Sequence, residues 1–135
     1  MADWAFEHTD RVRYGDLDTM RHLNNVAFVQ FFESARVAFM HDLFPEHDPT
    51  DPAAFPVVLA EVHLAYRAPG YLDDDIRTSV RPADLQRSSF RVEFEMRAGE
   101  RLLAEGYGVY VGYDYVAERA QPLADEVRGR LEPLL

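Results

Sequence analysis

Side chains that can do chemistry are concentrated in one short stretch near the start of the chain. The ten residues from position 16 to position 25 contain two carboxylates, one histidine and the only two asparagines of the 135-residue sequence: Asp16, Asp18, His22, Asn24 and Asn25. A long and very apolar segment follows directly. We interpret this stretch as a polar site at the point where a loop enters a buried helix.

The two carboxylates are candidates for proton transfer. Asp16 and Asp18 alternate with Leu17, and residues i and i+2 of an extended segment point the same way. Both carboxylates would then face one site, where their mutual repulsion suits one of them to act as a general base. A polar loop in which one Asp caps a turn accounts for the same spacing. The spacing alone leaves both interpretations open.

The two asparagines are predicted to mark the start of the helix. An Asn in front of an apolar run is typical of a helix cap, because its side-chain oxygen accepts a free first-turn N–H. One cap uses one Asn, so the second is not explained by capping. The free N–H groups and the positive end of the helix dipole stabilise negative charge, such as that on a polarised carbonyl oxygen. Together with an upstream carboxylate, this arrangement predicts acyl transfer or hydrolysis; the alternative is a doubly polar cap with nothing bound.

The remaining polar residues of this region give weaker signals. His22 lies in the loop, where a histidine more often forms a hydrogen bond than acts as a catalyst. Asp16, Asp18 and His22 offer three metal ligands, but the sequence shows no further metal-ligating spacing, so we expect neither a metal nor another cofactor. Glu33 is a carboxylate on a mostly apolar helix and is expected to pair with Arg36 or with another part of the chain.

Composition excludes several classes of function. The formal net charge of −10 argues against nucleic acid as a partner, because phosphate binding draws on a surplus of Lys and Arg. All fourteen cationic residues are Arg, so Schiff-base chemistry on a lysine is excluded, and the absence of Cys excludes disulfides and thiol nucleophiles. No uncharged apolar run approaches the ~18 residues of a membrane span, and the N-terminus does not resemble a signal peptide. We therefore expect a cytoplasmic protein that is not in a membrane.

The elements that must position the polar stretch are predicted from hydrophobic periodicity. Strands are expected over 7–14, 56–67, 76–81, 88–97 and 101–114, a long helix over 24–43, a loop over 44–55 and a short helix over 122–134. Strands joined by short turns favour an antiparallel sheet. The prediction is an α+β chain in one domain over 1–135, with an antiparallel sheet of about five strands wrapped around one long central helix.

Two strand patterns carry more specific expectations. Alternation over 56–67 predicts that Val58, Val62 and Tyr66 share one buried face. In the last strand, Gly106 and Gly108 share a face with other small residues. Glycine weakens a strand, so repeated glycines on one face predict that another element approaches closely, with the long helix as the candidate.

The region from position 16 to position 36 resembles a run of residues in hotdog-fold acyl thioesterases, D-x-D-x-x-x-H-x-N-N-x-x-(Y/F)-x-x-x-F-E-x-A-R. The groups it resembles most are the 4-hydroxybenzoyl-CoA thioesterase-like proteins and the plant-type acyl-ACP thioesterases. The matching residues are Asp16, Leu17, Asp18, His22, Asn24, Asn25, Phe28, Phe32, Glu33, Ala35 and Arg36. Element order and chain length agree with a single hotdog domain.

This resemblance implies hydrolysis of a thioester of CoA, or of acyl carrier protein, without a metal. It also implies a homodimer or homotetramer with active sites at subunit interfaces. Asp18 matches the catalytic carboxylate, which acts as nucleophile or general base; the backbone N–H near Asn25 matches the group that polarises the thioester carbonyl, and His22 matches an assisting histidine. The other matched residues expected at the substrate site are Asp16, Asn24, Phe28 and Glu33.

Two alternatives to thioester hydrolysis follow from the same residues. A hotdog dehydratase or hydratase would use His22 with Asp16 or Asp18 as a proton-transfer pair, although such enzymes usually carry a D-x-N-P-x-H spacing that this chain lacks. A non-catalytic acyl-CoA-binding protein would use the same pocket as a sensor. We rank both below hydrolysis.

Overall fold

The fold is a curved antiparallel sheet that packs against one long helix. The computed structural model describes residues 3–48, 50–51 and 54–135. Its strands are β1 (Phe6–Arg11), β2 (Val57–Tyr66), β3 (Asp75–Ala83), β4 (Ser89–Ala98), β5 (Arg101–Asp114) and the two-residue β6 (Arg119–Ala120); its helices are α1 (Asn25–Leu43) and α2 (Asp125–Leu131). The strand order is β1-β3-β4-β5-β2, with β6 on β5. The predicted α+β class is confirmed.

Helix α1 lies on one face of the sheet and forms the core with it. Phe32 is fully buried, and its ring stacks on that of Phe94 in β4 with the ring centroids 3.9 Å apart. Burying one phenylalanine side chain stabilises a fold by roughly 1.5–3 kcal/mol. The apolar composition of the helix suggests that it is buried on all sides, but one side is open to solvent: Val26 is 67% exposed and Val37 is 52% exposed.

A β-bulge changes which side chains of β2 face the core. The register of β2 against β5 shifts between Leu59 and Glu61, and one extra residue in a strand reverses the alternation of side chains. Val57 is therefore buried and Val58 is 37% exposed. The prediction for Val58 is wrong for this reason, whereas Val62, beyond the bulge, packs against the core as predicted. The prediction is also wrong for Tyr66 at the end of the strand, which is 46% exposed.

The segment after β1 also differs from its prediction. The strand ends at Arg11, and a short 3-10 turn (Tyr14–Asp16) follows. Val12 is fully buried, but Tyr14 is 83% exposed, so these two side chains do not share a face. The predicted loop over 44–55 contains turns at both ends, and its residues Pro49, Pro52 and Ala53 lie outside the described residues.

The glycines of β5 are approached by three different elements. A Cβ on Gly108 would lie 3.3 Å from the Phe32 ring, which confirms the close approach of α1 at that position. A Cβ on Gly106 would lie 1.8 Å from the backbone oxygen of His63 in β2, and one on Gly112 would lie 2.3 Å from that of Gln121.

Neither helix in the described part of the chain has the length and the apolar run that a membrane crossing requires.

We expect Gly106→Ala to lower the free energy of unfolding by about 1–3 kcal/mol, because the new methyl group overlaps the backbone of β2. The matched control is Gly129→Ala in α2, where the methyl group meets nothing within 4 Å. That change should raise the stability by about 0.5–1 kcal/mol, since Ala is the better helix former. Urea unfolding measures both. Equal effects of the two substitutions would contradict the close approach of β2 at Gly106.

Candidate active site

The loop that carries Asp18 is closed by backbone hydrogen bonds. Leu17 and Leu23 form an antiparallel bridge, and inside it the Asp18 N–H donates to the His22 carbonyl at 2.8 Å. The Arg21 N–H donates to the Asp18 carbonyl at 3.0 Å. This turn places Arg21 at a φ of 62°, a left-handed conformation that costs a non-glycine residue roughly 1–2 kcal/mol. These hydrogen bonds thus hold the backbone of the loop in one conformation.

The Asp18 carboxylate is held through one oxygen and exposed through the other. Its Oδ1 accepts the backbone N–H of Met20 at 2.8 Å and that of His22 at 3.1 Å. Its Oδ2 has no hydrogen-bond partner among the described residues. A fixed carboxylate with one accessible oxygen meets the geometric requirement for a nucleophile or a general base.

Asp16 lies in a different environment from Asp18. Its side chain is buried and accepts the Arg13 backbone N–H at 2.9 Å, and the Arg13 guanidinium lies 3.3 Å from the same oxygen. The extended geometry that would align the two carboxylates is absent, because Asp16 ends the 3-10 turn. The structure thus places Asp16 behind the loop as a turn-forming residue and Asp18 at its surface.

Asn24 joins the loop to the helix. Its side-chain oxygen accepts the Ala27 N–H at 2.7 Å as the N-cap of α1, and its side-chain nitrogen donates to the Asp16 carbonyl at 3.0 Å. The predicted cap is therefore confirmed for Asn24. The next two N–H groups, those of Asn25 and Val26, have no acceptor among the described residues. They lie at the positive end of α1, where negative charge is stabilised.

A cleft of about 220 Å³, here called the reactive cleft, brings Asp18 together with the start of the helix. Its walls include Asp18, His22, Asn25 and Phe28. These are four of the seven site residues predicted from the sequence. Asn24 lies beneath the cleft as the cap, while Asp16 and the exposed Glu33 do not line it.

Residues at the end of β2 complete the reactive cleft and are not among the seven predicted site residues. Tyr66 and Arg67 line it. The Tyr66 hydroxyl donates to the Asn25 carbonyl at 3.1 Å, and its ring meets Phe28 edge-on at 5.1 Å. Tyr66 is far from the motif along the chain, so no spacing rule connects them. Only the sheet brings them together.

His22 lines the reactive cleft without touching the Asp18 carboxylate through its ring. Its ring packs edge-on against Tyr71, with the centroids 5.5 Å apart. Neither ring nitrogen has a hydrogen-bond partner among the described residues. The link to Asp18 runs through the His22 backbone N–H instead. The ring is therefore free to contact a bound molecule.

The one His and carboxylate grouping with metal-ligand spacing among the described residues lies outside the reactive cleft. It consists of Glu46, His47 and Glu126. The Arg130 guanidinium bonds Glu46 and lies 3.7 Å from Glu126. The Arg130 guanidinium is thus the cation that these carboxylates already bind, and its contacts tie the end of α1 to α2.

Comparison with known proteins matches most of the chain to one protein family. The sequence model of the thioesterase-like superfamily matches residues 12–131. No curated protein matches the chain significantly by sequence.

Several solved structures with the same fold are described as thioesterases or as members of the thioesterase superfamily. A thioesterase from Thermus thermophilus, crystallised with coenzyme A and zinc, is 30% identical over 99% of this chain and 96% of that one, with a TM-score of 0.87. A thioesterase-superfamily protein from Jannaschia sp. CCS1 is 28% identical over 97% and 83%, with a TM-score of 0.82. A 1,4-dihydroxy-2-naphthoyl-CoA thioesterase from Synechocystis is 16% identical over 96% of both chains, with a TM-score of 0.84, and shows likeness of fold alone. The expected hotdog fold is confirmed.

We expect Asn24→Ala to lower the free energy of unfolding by about 1–2 kcal/mol, because it removes the cap of α1 and the bond to the loop together. Asn25→Ala is the matched control, since this exposed side chain forms no hydrogen bond with the described residues. It should change stability by less than about 0.5 kcal/mol. Guanidinium unfolding compares the two, and a larger loss in Asn25→Ala would contradict the assignment of the cap.

Proposed function

This chain belongs to the thioesterase-like superfamily, and from that premise we propose that it hydrolyses the thioester of an acyl-CoA to a free acid and coenzyme A. The observation that carries the proposal is the reactive cleft. It brings an accessible carboxylate on Asp18 together with Asn25 at the start of α1, where the N–H groups of Asn25 and Val26 have no acceptor among the described residues. A reactive oxygen and donors for a developing oxyanion are the two requirements of acyl transfer.

In the proposed reaction, the Asp18 carboxylate either takes a proton from a water molecule that attacks the carbonyl carbon or attacks that carbon itself. The carbonyl oxygen gains negative charge in both cases, and the N–H groups at the start of α1 stabilise it. The C–S bond then breaks and the thiolate takes up a proton. The His22 ring lies in the cleft without a hydrogen-bond partner among the described residues and is proposed to donate that proton. An acyl anhydride on Asp18, in the second case, is hydrolysed by water.

Cationic side chains on both sides of Asp18 support CoA as the thiol carrier. Arg67 lines the reactive cleft, and Arg21 lines a shallow groove of about 590 Å³ that also contains Asp18. Arg67 is paired with Glu105 at 3.0 Å, whereas Arg21 forms no ion pair within the described residues. CoA carries phosphates that a free guanidinium binds well. The coenzyme A in the Thermus thermophilus thioesterase agrees with this choice.

A homodimer is the proposed assembly, formed by antiparallel pairing of two copies along β2. The strand lies at the edge of the sheet, and an edge strand offers unpaired backbone groups to a second chain. Large apolar side chains are exposed on β2 and on the neighbouring side of α1: Val58, Tyr66, Val26 and Val37. A second copy that covers them would also close the reactive cleft beside Tyr66.

We expect Asp18→Asn to lower kcat/KM for acyl-CoA hydrolysis by about 100-fold or more, because it removes the reactive oxygen. Asn keeps the side-chain oxygen that accepts the Met20 and His22 N–H groups, so the turn should remain folded. Release of free thiol from a panel of acyl-CoAs of different chain length measures the rate.

Asp16→Asn is the matched control for this variant, because it changes the neighbouring carboxylate in the same way. It should slow hydrolysis less and destabilise the turn more, since Asp16 holds Arg13. Full activity of Asp18→Asn would disprove the assignment of Asp18 as the reactive carboxylate. Loss of enoyl-CoA absorbance without thiol release would indicate a hydratase, and binding without turnover across the panel would indicate a binding protein.

We expect Val58→Glu to convert the dimer to monomers and to reduce hydrolysis, because each copy would bring a new carboxylate into the apolar surface that pairing along β2 covers. Light scattering after size-exclusion chromatography measures the mass. The control is Val116→Glu, which adds the same charge at a fully exposed valine beyond the end of β5. A wild-type monomer, or a dimer that survives Val58→Glu, would contradict pairing along β2.

A further inference from the structure

Arg36 is a buried cation without a carboxylate partner. The residue is 5% exposed, and no acidic side chain among the described residues lies within ion-pair distance of its guanidinium. Glu33, one turn earlier on α1, is exposed and does not form the expected pair. The Nε–H of Arg36 has no acceptor within the described part of the chain. Burying a charge in this way is costly, so a role beyond packing is expected.

The Arg36 guanidinium is directed at the hydroxyl group of Tyr110. Its Nη1 donates to the Tyr110 Oη at 2.8 Å, and the guanidinium carbon, Cζ, lies 4.7 Å from the centre of the Phe32 ring. The Tyr110 oxygen therefore acts as an acceptor towards Arg36. Its own O–H proton has no acceptor among the described residues. Burial raises the pKa of Tyr110, so the hydroxyl remains protonated at neutral pH and can donate.

Tyr110 forms part of the wall of a second, mostly apolar cleft of about 310 Å³, here called the distal cleft. The other apolar walls are Val37, Met40, Phe55, Val57 and Tyr115. The Tyr115 hydroxyl is already bound to the Val57 carbonyl at 2.7 Å. The polar side chains that line this cleft are His41, Thr50 and Asp51. The Thr50 hydroxyl is already bound to the Asp48 carboxylate at 2.7 Å. Among the described residues of the wall, Tyr110 is therefore the hydroxyl with an unused proton, and the Arg36 cation bonded to its oxygen polarises that donor.

The distal cleft is remote from the reactive cleft of its own chain. Val37 follows Asn25 by three turns of α1, which is about 18 Å along the axis at 1.5 Å per residue. The two clefts lie at opposite ends of β2, with Tyr66 at one and Val57 at the other. Antiparallel pairing of two copies along β2 therefore brings the reactive cleft of one copy beside the distal cleft of the other.

We infer that the distal cleft receives the far end of the acyl group whose thioester lies in the reactive cleft of the second copy, and that Tyr110 selects acyl groups with an oxygen acceptor there. This inference rests on the proposed function and on the pairing along β2. The apolar walls hold the carbon chain, and the Tyr110 O–H donates to a hydroxyl, keto or similar oxygen. Arg36 acts through Tyr110 as a positioning residue.

Matched pairs of acyl-CoAs test the inference by kinetics. Each saturated acyl-CoA from six to twelve carbons is compared with its counterpart that carries a terminal hydroxyl group. At the chain length that reaches Tyr110, wild type should prefer the hydroxylated substrate by about tenfold in kcat/KM, the worth of one hydrogen bond. Tyr110→Phe should reduce this ratio to about one.

The control is Tyr107→Phe, the same change in the same strand but outside the distal cleft, where the ring stacks on His63. It should leave the ratio unchanged. A wild type without any preference along the series would overturn the inference, as would a preference that survives Tyr110→Phe. The ratio compares two substrates of one variant, so a general loss of stability does not alter the result.

A binding measurement separates this inference from the proposed hydrolysis. Acetophenone and ethylbenzene have similar size, but only acetophenone has an oxygen acceptor. Ligand-observed NMR with the wild-type protein should show about tenfold tighter binding of acetophenone, and Tyr110→Phe should remove the difference. If this holds while no acyl-CoA is hydrolysed, the proposed function fails and the distal cleft remains a binding site. Equal binding of both probes by wild type overturns the site itself.

Discussion

Packing of α1 across the sheet is the constraint on which both clefts depend. Phe32, in the middle of the helix, stacks on Phe94 and occupies the space that a side chain at Gly108 would take. This contact sets the distance of the helix from β5 and the rotation about its axis. Both ends of α1 are positioned as a consequence, the N-terminus at the reactive cleft and the last turns at the distal cleft. The proposed chemistry and the proposed selectivity thus depend on the position of the same helix.

The junction between loop and helix supplies the second level of order. One amide side chain, that of Asn24, bonds the first turn of α1 and the backbone of the loop at once. Asp16 secures the other side of the loop through Arg13. The N–H groups proposed to stabilise the oxyanion and the carboxylate of Asp18 therefore belong to one hydrogen-bonded unit. Such prior organisation is what makes electrostatic stabilisation effective, since no reorientation is needed during the reaction.

The sequence predicts those features whose signals are local. Periodicity locates α1 and β5 within a residue, because a long apolar helix and a regular alternation repeat the same signal many times. Ala60 carries no such signal, so the bulge that turns Val58 outward was missed. Spacing likewise cannot separate Asp16 from Asp18, since Asp16 belongs to a 3-10 turn in which its carboxylate accepts the Arg13 N–H, whereas Asp18 lies beyond that turn. Contacts made across the sheet, such as that of Tyr66 with Asn25, have no local signature at all.

The bulge in β2 also restricts how the edge of the sheet can be used. An exposed edge strand is a template for open-ended addition of further strands, the first step of aggregation. The bulge bends the strand and divides it into two halves whose inward faces are out of phase, with Leu59 before it and Val62 after it. A strand added in a slipped register would match one half and clash with the other. We therefore expect the same irregularity that sequence periodicity overlooks to hinder open-ended addition of strands at this edge.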